Sequence, residues 1–251
     1  MYYYLLSLIF FKKGSDKLST FTIEPIGYIQ NNYKDKFGIP RQSNLVNSTE
    51  SLIIFNEKYR DENALRGLEG YSHIWLIWLC HKAADDGKFS ATVRPPRLGG
   101  NIRMGVFATR SPFHPNRLGL SCVKLLGIEK TKDNGTVLKI SGEDLLCDTP
   151  IIDIKPYLPF SDSYPDAKHG FAEQVFGEKL KVVFSDKAQD IPTDIKQALI
   201  EILSQDPRPA YQQDKDRIYK MDYSKFNISF SVDGTVLTVL SARIEETETD
   251  L

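Results

Sequence analysis

Short apolar stretches separated by glycine and proline dominate residues 21–165. The stretches at 21–24 and 26–29 indicate one strand interrupted around Pro25, and the continuous apolar run at 74–80 is typical of a strand buried on both faces. No long amphipathic helix lies between the stretches, which favours a barrel or sandwich over alternating strands and helices. The other predicted elements are strands at 51–55, 104–108, 118–126, 136–140 and 150–154, and a short helix at 62–68.

The pattern changes after residue 165. Residues 166–177 are polar, apolar residues then recur at helical spacing over 192–205, and the Asp-Pro-Arg-Pro sequence at 206–209 ends this predicted helix. Residues 226–239 alternate apolar and polar around Asp233-Gly234, which is a strong hairpin-turn signal. We therefore predict a mainly β protein, with a β-barrel domain over 21–165 and a smaller α+β C-terminal domain over 166–251 that ends in a solvated acidic tail.

The first twenty residues fit neither domain. The apolar run near the start has about ten residues, whereas a membrane span needs roughly 20. Lys12 and Lys13 follow this run, although a signal peptide carries its positive charges in front. We therefore expect residues 1–20 to be a non-structural extension, and we expect no membrane association. Cys80, Cys122 and Cys147 are too widely spaced to indicate disulfides or a thiolate zinc site, which suits a reducing cytoplasm.

Charge is informative only locally, because the whole chain has a net charge of −1. Residues 94–117 contain no acidic residue, and a stretch of one sign is the electrostatic footprint of a surface that binds RNA or another polyanion. The guanidinium fork also binds phosphate bidentately. The alternative is that these arginines pair with acids elsewhere, such as Glu69, Asp85 or Asp86. The candidate RNA-binding residues are Arg94, Arg97, Arg103 and Arg117, and Arg110 and His114 lie in the same stretch.

Three further segments are weaker candidates. Arg41 and Gln42 follow Pro40, and His81 and Lys82 end the apolar run at 74–80, where a structural histidine is commoner than a site residue. Residues 143–150 read as a tight turn whose carboxylates could serve only the turn. No glycine-rich nucleotide loop, phosphate-binding lysine motif or serine-nucleophile elbow occurs, and the four histidines are too scattered to indicate a zinc site.

Several of these segments recur together in a known family. The chain reads FGIPRQ at 37–42, GYSHIW at 70–75, VRPPRLGGN at 93–101, GVFATRSPF at 105–113 and DIKPY at 153–157. In this order they resemble the TsaA-like family, also called TrmO or YaeB, over residues 21–165. Weaker similarity continues at DPRPAY, residues 206–211. Several long motifs in one order make this resemblance specific.

The resemblance implies a β-barrel methyltransferase, usually a homodimer. It implies methyl transfer from S-adenosylmethionine to N6 of threonylcarbamoyladenosine beside the anticodon of tRNA, so the expected partner is the tRNA anticodon loop. The catalytic base stays open between His81, His114 and Asp144, because each can accept a proton. The residues implied to line the cofactor pocket are Pro40, Arg41, Gln42, His81, Lys82, Arg110, Leu120, Asp144, Leu145 and Leu146.

One turn departs from the family pattern. The family tends to read Asp-Gly-Thr-Pro where this chain has Cys147-Asp148-Thr149-Pro150, and losing glycine removes easy access to positive φ. Either the turn tightens differently or Asp148 adopts that conformation. Two alternatives therefore stay open: a non-catalytic RNA-binding β-barrel, and a methyltransferase acting on another small molecule or RNA. Phe113 is expected either to stack on a base or to pack in a core or interface.

Overall fold

The computed structural model describes residues 6–10, 19–83, 88–175, 179–209, 212 and 214–244. Two α-helices, α1 (Pro159–Asp162) and α2 (Thr193–Ser204), accompany the strands. Short 3-10 helices lie at Glu57–Tyr59, Glu62–Leu65, Leu68–Gly70, Pro96–Leu98, Val106–Ala108, Gly170–Val175 and Asp186–Ala188. The strands in chain order are β1 (Leu6–Phe10), β2 (Ser19–Ile23), β3 (Gly27–Gln30), β4 (Ser51–Phe55), β5 (His73–Leu79), β6 (Thr92–Val93), β7 (Met104–Gly105), β8 (Leu118–Thr131), β9 (Gly135–Ser141), β10 (Pro150–Pro156), β11 (Lys181–Phe184), β12 (Tyr219–Tyr223), β13 (Phe226–Asp233) and β14 (Val236–Ile244).

Six strands form a closed antiparallel barrel in the order β10-β3-β4-β9-β8-β5. The ring closes because β10 pairs with β5 along one edge and with β3 along the other. Closure leaves no unpaired barrel edge, and the inward side chains fill a continuous apolar core. Fully buried members of this core include Ile29, Ile53, Ile74, Leu76, Val123, Leu138, Ile140, Leu145 and Ile151.

The C-terminal domain is a four-stranded sheet in the order β11-β14-β13-β12, with α2 against it. Helix α2 contributes Ala198, Leu199, Ile202 and Leu203 to a second apolar core, as its predicted helical spacing requires. This core also contains Tyr33, which belongs to the long loop of residues 31–50 between β3 and β4. The barrel domain therefore contributes apolar side chains to the core of its neighbour.

Most strands of the barrel follow the hydrophobic pattern. The predictions at 51–55, 118–126, 136–140 and 150–154, the helix over 192–205 and the hairpin at Asp233-Gly234 are confirmed. The interrupted strand at 21–29 is two strands with different partners, since β2 pairs with β1 and β3 enters the barrel. The predicted helix at 62–68 is two 3-10 turns, separated where Gly67 has a φ of 89°.

Other expectations are wrong in part. The strand predicted at 104–108 ends at Gly105, because the backbone turns into a 3-10 helix that Thr109 closes by donating to the Val106 carbonyl. The run at 74–80 is buried mainly on one face, since Ile74 and Leu76 are buried whereas Trp75 and Ile77 on the opposite face are half-buried. A strand, β1, lies in the expected non-structural extension and pairs with β2 along one edge. The acidic tail at 245–250 lies outside the described residues. Within the described ranges, no helix combines the length and apolar character needed to span a bilayer.

Candidate functional site

The loop of residues 31–50 presents the Pro40-Arg41-Gln42 motif. Gly38 has a φ of 93°, and a Cβ there would lie 2.5 Å from the Met221 methyl carbon, so glycine is required for the loop to lie on the C-terminal domain. The Gln42 amide donates to the Arg41 carbonyl at 2.6 Å. Arg110 donates from Nη1 to the Gln42 Oε1 atom, also at 2.6 Å. Two segments that the sequence separates by about seventy residues are therefore joined at their polar groups.

The Asp144 carboxyl lies beside this motif. It accepts a hydrogen bond from the Ser121 hydroxyl at 2.5 Å, and Ser121 in turn accepts from the Trp78 indole N–H at 3.0 Å. Burial is the largest influence and raises the pKa of Asp144 to about 6, against the lowering effects of Ser121, the Ser43 backbone N–H and the Arg110 charge. The site thus holds a shielded carboxyl whose charge changes close to neutral pH.

The turn that carries Asp144 is tied to the same loop. The Asn44 N–H donates to the Gly142 carbonyl, and the Asn31 side-chain amide donates to the Leu145 carbonyl, each at 2.8 Å. The Leu145 side chain is fully buried in the barrel core, and Leu146 is 8% exposed. The pocket implied by the resemblance can therefore use the backbone of Leu145 but not its side chain.

In the turn of residues 147–150, Asp148 adopts the positive φ that glycine would otherwise supply. This residue has a φ of 62°, the left-handed conformation that the family's glycine adopts at no steric cost. Its N–H donates to the Ile29 carbonyl at 2.8 Å, and the Thr149 hydroxyl donates to the Leu146 carbonyl at 2.7 Å. The backbone N–H groups of Asp148 and Thr149 are therefore both hydrogen-bonded, although the turn departs from the family pattern.

His81 and Lys82 follow β5 at the same end of the barrel. Lys36 donates to the Lys82 carbonyl at 2.6 Å, which links this corner to the loop of residues 31–50. Burial and the Lys82 charge lower the pKa of His81, which keeps the imidazole neutral at pH 7. Burial raises the pKa of Cys80 to about 11. The Asp144 charge raises this pKa as well, because the Asp144 carboxyl lies close to this corner of the barrel.

Leu120 points outward from β8 beside Ser121. Its side chain is 51% exposed, whereas Ser121 is 1% exposed, as the alternation of a strand requires. The neighbouring Gly119 lies against the Trp78 indole, and a Cβ there would approach the ring carbons to 2.2 Å. The glycine lets the Trp78 ring lie flat enough on β8 to reach Ser121.

The arginine stretch of residues 94–117 lies on the β6–β7 hairpin and the loop that follows it. Arg94, Arg103 and Arg110 are exposed, and no described acidic side chain forms a salt bridge with any of them. Glu69, one of the suggested acidic partners, accepts from the Gly67 N–H instead. Asp85 and Asp86 lie outside the described residues, as does the side chain of Arg97. The surface is therefore cationic at three described positions.

Arg117 differs from the other arginines. It is half-buried, has a φ of 51°, and its Nη1 lies 3.4 Å from the Ala83 carbonyl oxygen. The Arg117 side chain therefore lies against the segment that follows β5. Arg103, by contrast, lies 3.4 Å from the Thr92 hydroxyl and stays exposed.

Exposed aromatic rings accompany the arginines. Phe107 and Phe113 are 73% and 52% exposed, so Phe113 is not a core residue of the chain. His114 packs edge-on against Phe107 with ring centroids 5.7 Å apart, and its Nε2 lies 2.8 Å from the Thr109 carbonyl oxygen. No described hydrogen bond joins His114 to Asp144, and the structure places this histidine on the arginine loop.

Sequence reasoning missed three groups that complete the site. Ser43, Ser121 and Trp78 surround the Asp144 carboxyl, but none belongs to a motif with chemistry of its own. The available signals were positional, since Ser43 follows Gln42 directly and Ser121 follows Leu120. Only the closed barrel shows that β5, β8 and the Asp144 turn meet.

Comparison with known proteins gives a consistent result. The family model described as the tRNA-methyltransferase O N-terminal domain matches residues 28–163, and the TrmO C-terminal domain matches residues 175–245. An Escherichia coli tRNA (adenine(37)-N6)-methyltransferase is 40% identical over 224 residues, covering 86% of this chain and 94% of the relative. A human protein of the same name is 40% identical over 147 residues, covering 56% of this chain and 31% of the relative.

A solved structure extends the similarity to the fold. The crystal structure of TrmO from Pseudomonas aeruginosa matches with a TM-score of 0.72 and 31% identity, covering 90% of this chain and 100% of that chain. The fold and the site thus define a two-domain protein in which a closed β-barrel carries a shielded carboxyl beside a cationic loop. The chain belongs to the tRNA-methyltransferase O family.

Proposed function

We propose that this protein is an S-adenosylmethionine-dependent methyltransferase that acts on N6 of threonylcarbamoyladenosine at position 37 of tRNA. The observation that carries the proposal is the shielded Asp144 carboxyl between Arg110 and the Pro40-Arg41-Gln42 motif. The names of the relatives support the tRNA position and the adenine N6 atom. The threonylcarbamoyl group and a cytoplasmic location extend the family resemblance.

The residues at this site fit the chemistry of S-adenosylmethionine. When bound, this cofactor supplies an electrophilic methyl group on a sulfonium cation and also carries a carboxylate and an adenine ring. The carboxylate of Asp144 can balance the positive charge of the sulfonium. The guanidinium of Arg110 is suited to the carboxylate of the cofactor. The exposed apolar side chain of Leu120 offers a surface for the ring. We assign the pocket to Pro40, Gln42, His81, Lys82, Arg110, Leu120, Asp144, Leu146 and the backbone of Arg41 and Leu145.

The side chains at the site also suggest how the acceptor proton leaves. The acceptor nitrogen belongs to a urea-like group and is a poor nucleophile, so orientation and proton removal carry the reaction. We assign proton acceptance to His81, because its lowered pKa keeps it neutral at pH 7. Asp144 remains the charge partner, since hydrogen bonds from Ser121 and Ser43 occupy its carboxyl. His114, whose Nε2 faces the Thr109 carbonyl, is the weaker candidate.

The cationic surface suits the anticodon loop. Arg94 and Arg103 are exposed, and the Phe107 and Phe113 rings stand open for stacking by unpaired bases. We propose that these arginines, together with Arg97, bind phosphates. Replacing Arg94 and Arg103 by alanine should weaken tRNA binding and reduce its salt dependence while sparing cofactor affinity. Unchanged tRNA affinity and salt dependence would exclude this surface.

A second copy of the chain has a surface on which to pack. Exposed apolar side chains on β8 include Leu118 and Leu126. Exposed apolar side chains that form a contiguous patch mark interaction surfaces on soluble proteins. We propose a homodimer, which light scattering after gel filtration measures directly. A monomer at assay concentration would exclude it.

Methyl transfer itself is the decisive experiment. Tritiated methyl incorporation should be compared for tRNA with and without threonylcarbamoyladenosine, using wild-type protein and Arg110→Ala. We expect incorporation only into the modified tRNA and loss of both incorporation and calorimetric cofactor binding in the variant. Incorporation into unmodified RNA would indicate a different methyl acceptor. Absence of any cofactor affinity would indicate a non-catalytic RNA-binding barrel.

A further inference from the structure

The Asp-Pro-Arg-Pro turn that follows α2 is built around a buried ion pair. Arg208 is 5% exposed and binds both carboxylate oxygens of Asp206, with Nε at 2.9 Å and Nη2 at 3.1 Å. The Arg208 N–H also donates to the same carboxylate at 3.2 Å. Asp206 has a φ of 51°, a left-handed conformation that Asp tolerates because its short side chain forms local hydrogen bonds. The pair therefore fixes the path of the backbone through the turn.

The rigid turn presents two carbonyl oxygens to the barrel domain. Arg41 donates from Nη2 to the Asp206 carbonyl at 2.6 Å and to the Arg208 carbonyl at 3.2 Å. A guanidinium nitrogen that donates to two converging carbonyls is held in direction as well as distance. The Arg41 side chain thus points at the C-terminal domain, whereas its neighbour Gln42 accepts from Arg110 at the proposed pocket.

Aromatic packing holds the other end of the same motif. The Phe37 ring stacks on Tyr219 with centroids 6.4 Å apart and on Phe230 at 6.2 Å, both within the C-terminal core. The motif between Phe37 and Gln42 is therefore anchored twice on the C-terminal domain, once by apolar packing and once by Arg41.

A chain of hydrogen bonds leads from the turn to the site. The Arg41 side chain contacts the turn, the Arg41 carbonyl accepts from the Gln42 amide at 2.6 Å, and the Gln42 Oε1 atom accepts from Arg110. The charge of Arg110 in turn acts on Asp144. A shift of the turn carbonyls would displace Arg41 and, through Gln42, the guanidinium that faces the carboxyl.

From these contacts we infer that the Asp206–Arg208 turn is a positioning device for the cofactor loop, with Arg41 as the connecting residue. Asp206 and Arg208 act through Arg41 and are positioning residues of the methyl-transfer site, although they belong to the other domain. This inference rests on the proposed cofactor pocket. It gives the C-terminal domain a role in cofactor binding that is separate from any contact with tRNA.

The test weakens the turn without touching the pocket. Arg208→Lys keeps the buried charge but removes the guanidinium fork, and Asp206→Asn keeps the shape of the acceptor. Asn227→Ala is the matched control, because it removes a 2.6 Å hydrogen bond to Asp222 within the same domain, away from the turn. Thermal unfolding shows whether each variant folds, and calorimetry gives the affinity for S-adenosylmethionine and S-adenosylhomocysteine.

We expect the two turn variants to lose about tenfold in cofactor affinity, the effect of one or two hydrogen bonds. The KM for S-adenosylmethionine should rise with little change in kcat, and Asn227→Ala should keep wild-type affinity. In the Arg41→Ala background, Arg208→Lys should have almost no further effect, because the connection is already absent. A purely structural role would instead lower the melting temperature of the two turn variants and leave their affinity unchanged.

Two failures are distinguishable. Wild-type cofactor affinity in folded Arg208→Lys and Asp206→Asn, with weak affinity in Arg110→Ala, would overturn the positioning role and leave the pocket in place. Wild-type affinity in Arg110→Ala as well would overturn the proposed pocket, and with it this inference. An additive effect of Arg208→Lys in the Arg41→Ala background would also overturn the connection through Arg41.

Discussion

Replacing Asp144 by asparagine should stabilise the cofactor-free protein while it removes cofactor binding. Burial raises the pKa of this carboxyl from 3.8 to about 6. Because the folded-state pKa is the higher one, ionised Asp144 destabilises the fold: the penalty is absent below pH 3.8, grows up to about pH 6 and is complete above it. At about 1.4 kcal/mol per pKa unit, the full penalty is about 3 kcal/mol.

The asparagine variant removes this penalty but gives up one good interaction. Its amide oxygen still accepts from Ser121, whereas the second carboxylate acceptor becomes an N–H donor, which costs about 1 kcal/mol. We therefore expect a net gain of about 2 kcal/mol at about pH 8, falling by about 1.4 kcal/mol at about pH 5, where the wild-type carboxyl is mostly protonated.

Urea unfolding of both proteins at the two pH values measures this difference, with linear extrapolation at each pH. Comparing the variant with the wild type at each pH cancels the contributions of other titrating groups. Calorimetry should show that the more stable variant no longer binds S-adenosylmethionine. A stability difference between the two proteins that is equal at both pH values would refute the assignment of a shielded, titrating carboxyl.

Three further substitutions test the packing around the site by urea unfolding. Gly119→Ala should destabilise the protein by about 1–3 kcal/mol, because its Cβ collides with Trp78, and unchanged stability would contradict that contact. Asp148→Gly should stabilise it by about 1 kcal/mol by relieving the left-handed backbone, and a loss would contradict the strain. Leu145→Ala should cost about 2–5 kcal/mol, whereas the exposed control Ile218→Ala should change little.

The sequence predicted those elements that carry their own periodicity. Residues 51–55 and 136–140 form strands because their runs are short, apolar and rich in β-branched residues. Strand β11 and strand β12 were missed, since each is defined mainly by its pairing with β14 or β13. The half-buried face of β5 was misjudged, because a continuous apolar run does not distinguish one covered face from two.

The site was predictable in parts but not as a whole. The resemblance supplied Pro40, Arg110 and Asp144, but neither their hydrogen bonds nor the shielding of the carboxyl. The direction of the Arg41 side chain was unpredictable, since its acceptors lie about 165 residues further along the chain and are backbone atoms. Arg117 shows the opposite limit. A basic stretch in the sequence does not reveal which of its side chains contacts a backbone carbonyl of the same chain.

The placement of Tyr33 and Phe37 couples the unfolding of the two domains. Both side chains belong to a barrel loop, yet they pack within the core of the neighbouring sheet. Separating the two domains would remove aromatic rings from that core and release the Pro40-Arg41-Gln42 segment. Heating should therefore produce one cooperative transition, with matching calorimetric and van't Hoff enthalpies, instead of sequential melting of two independent modules.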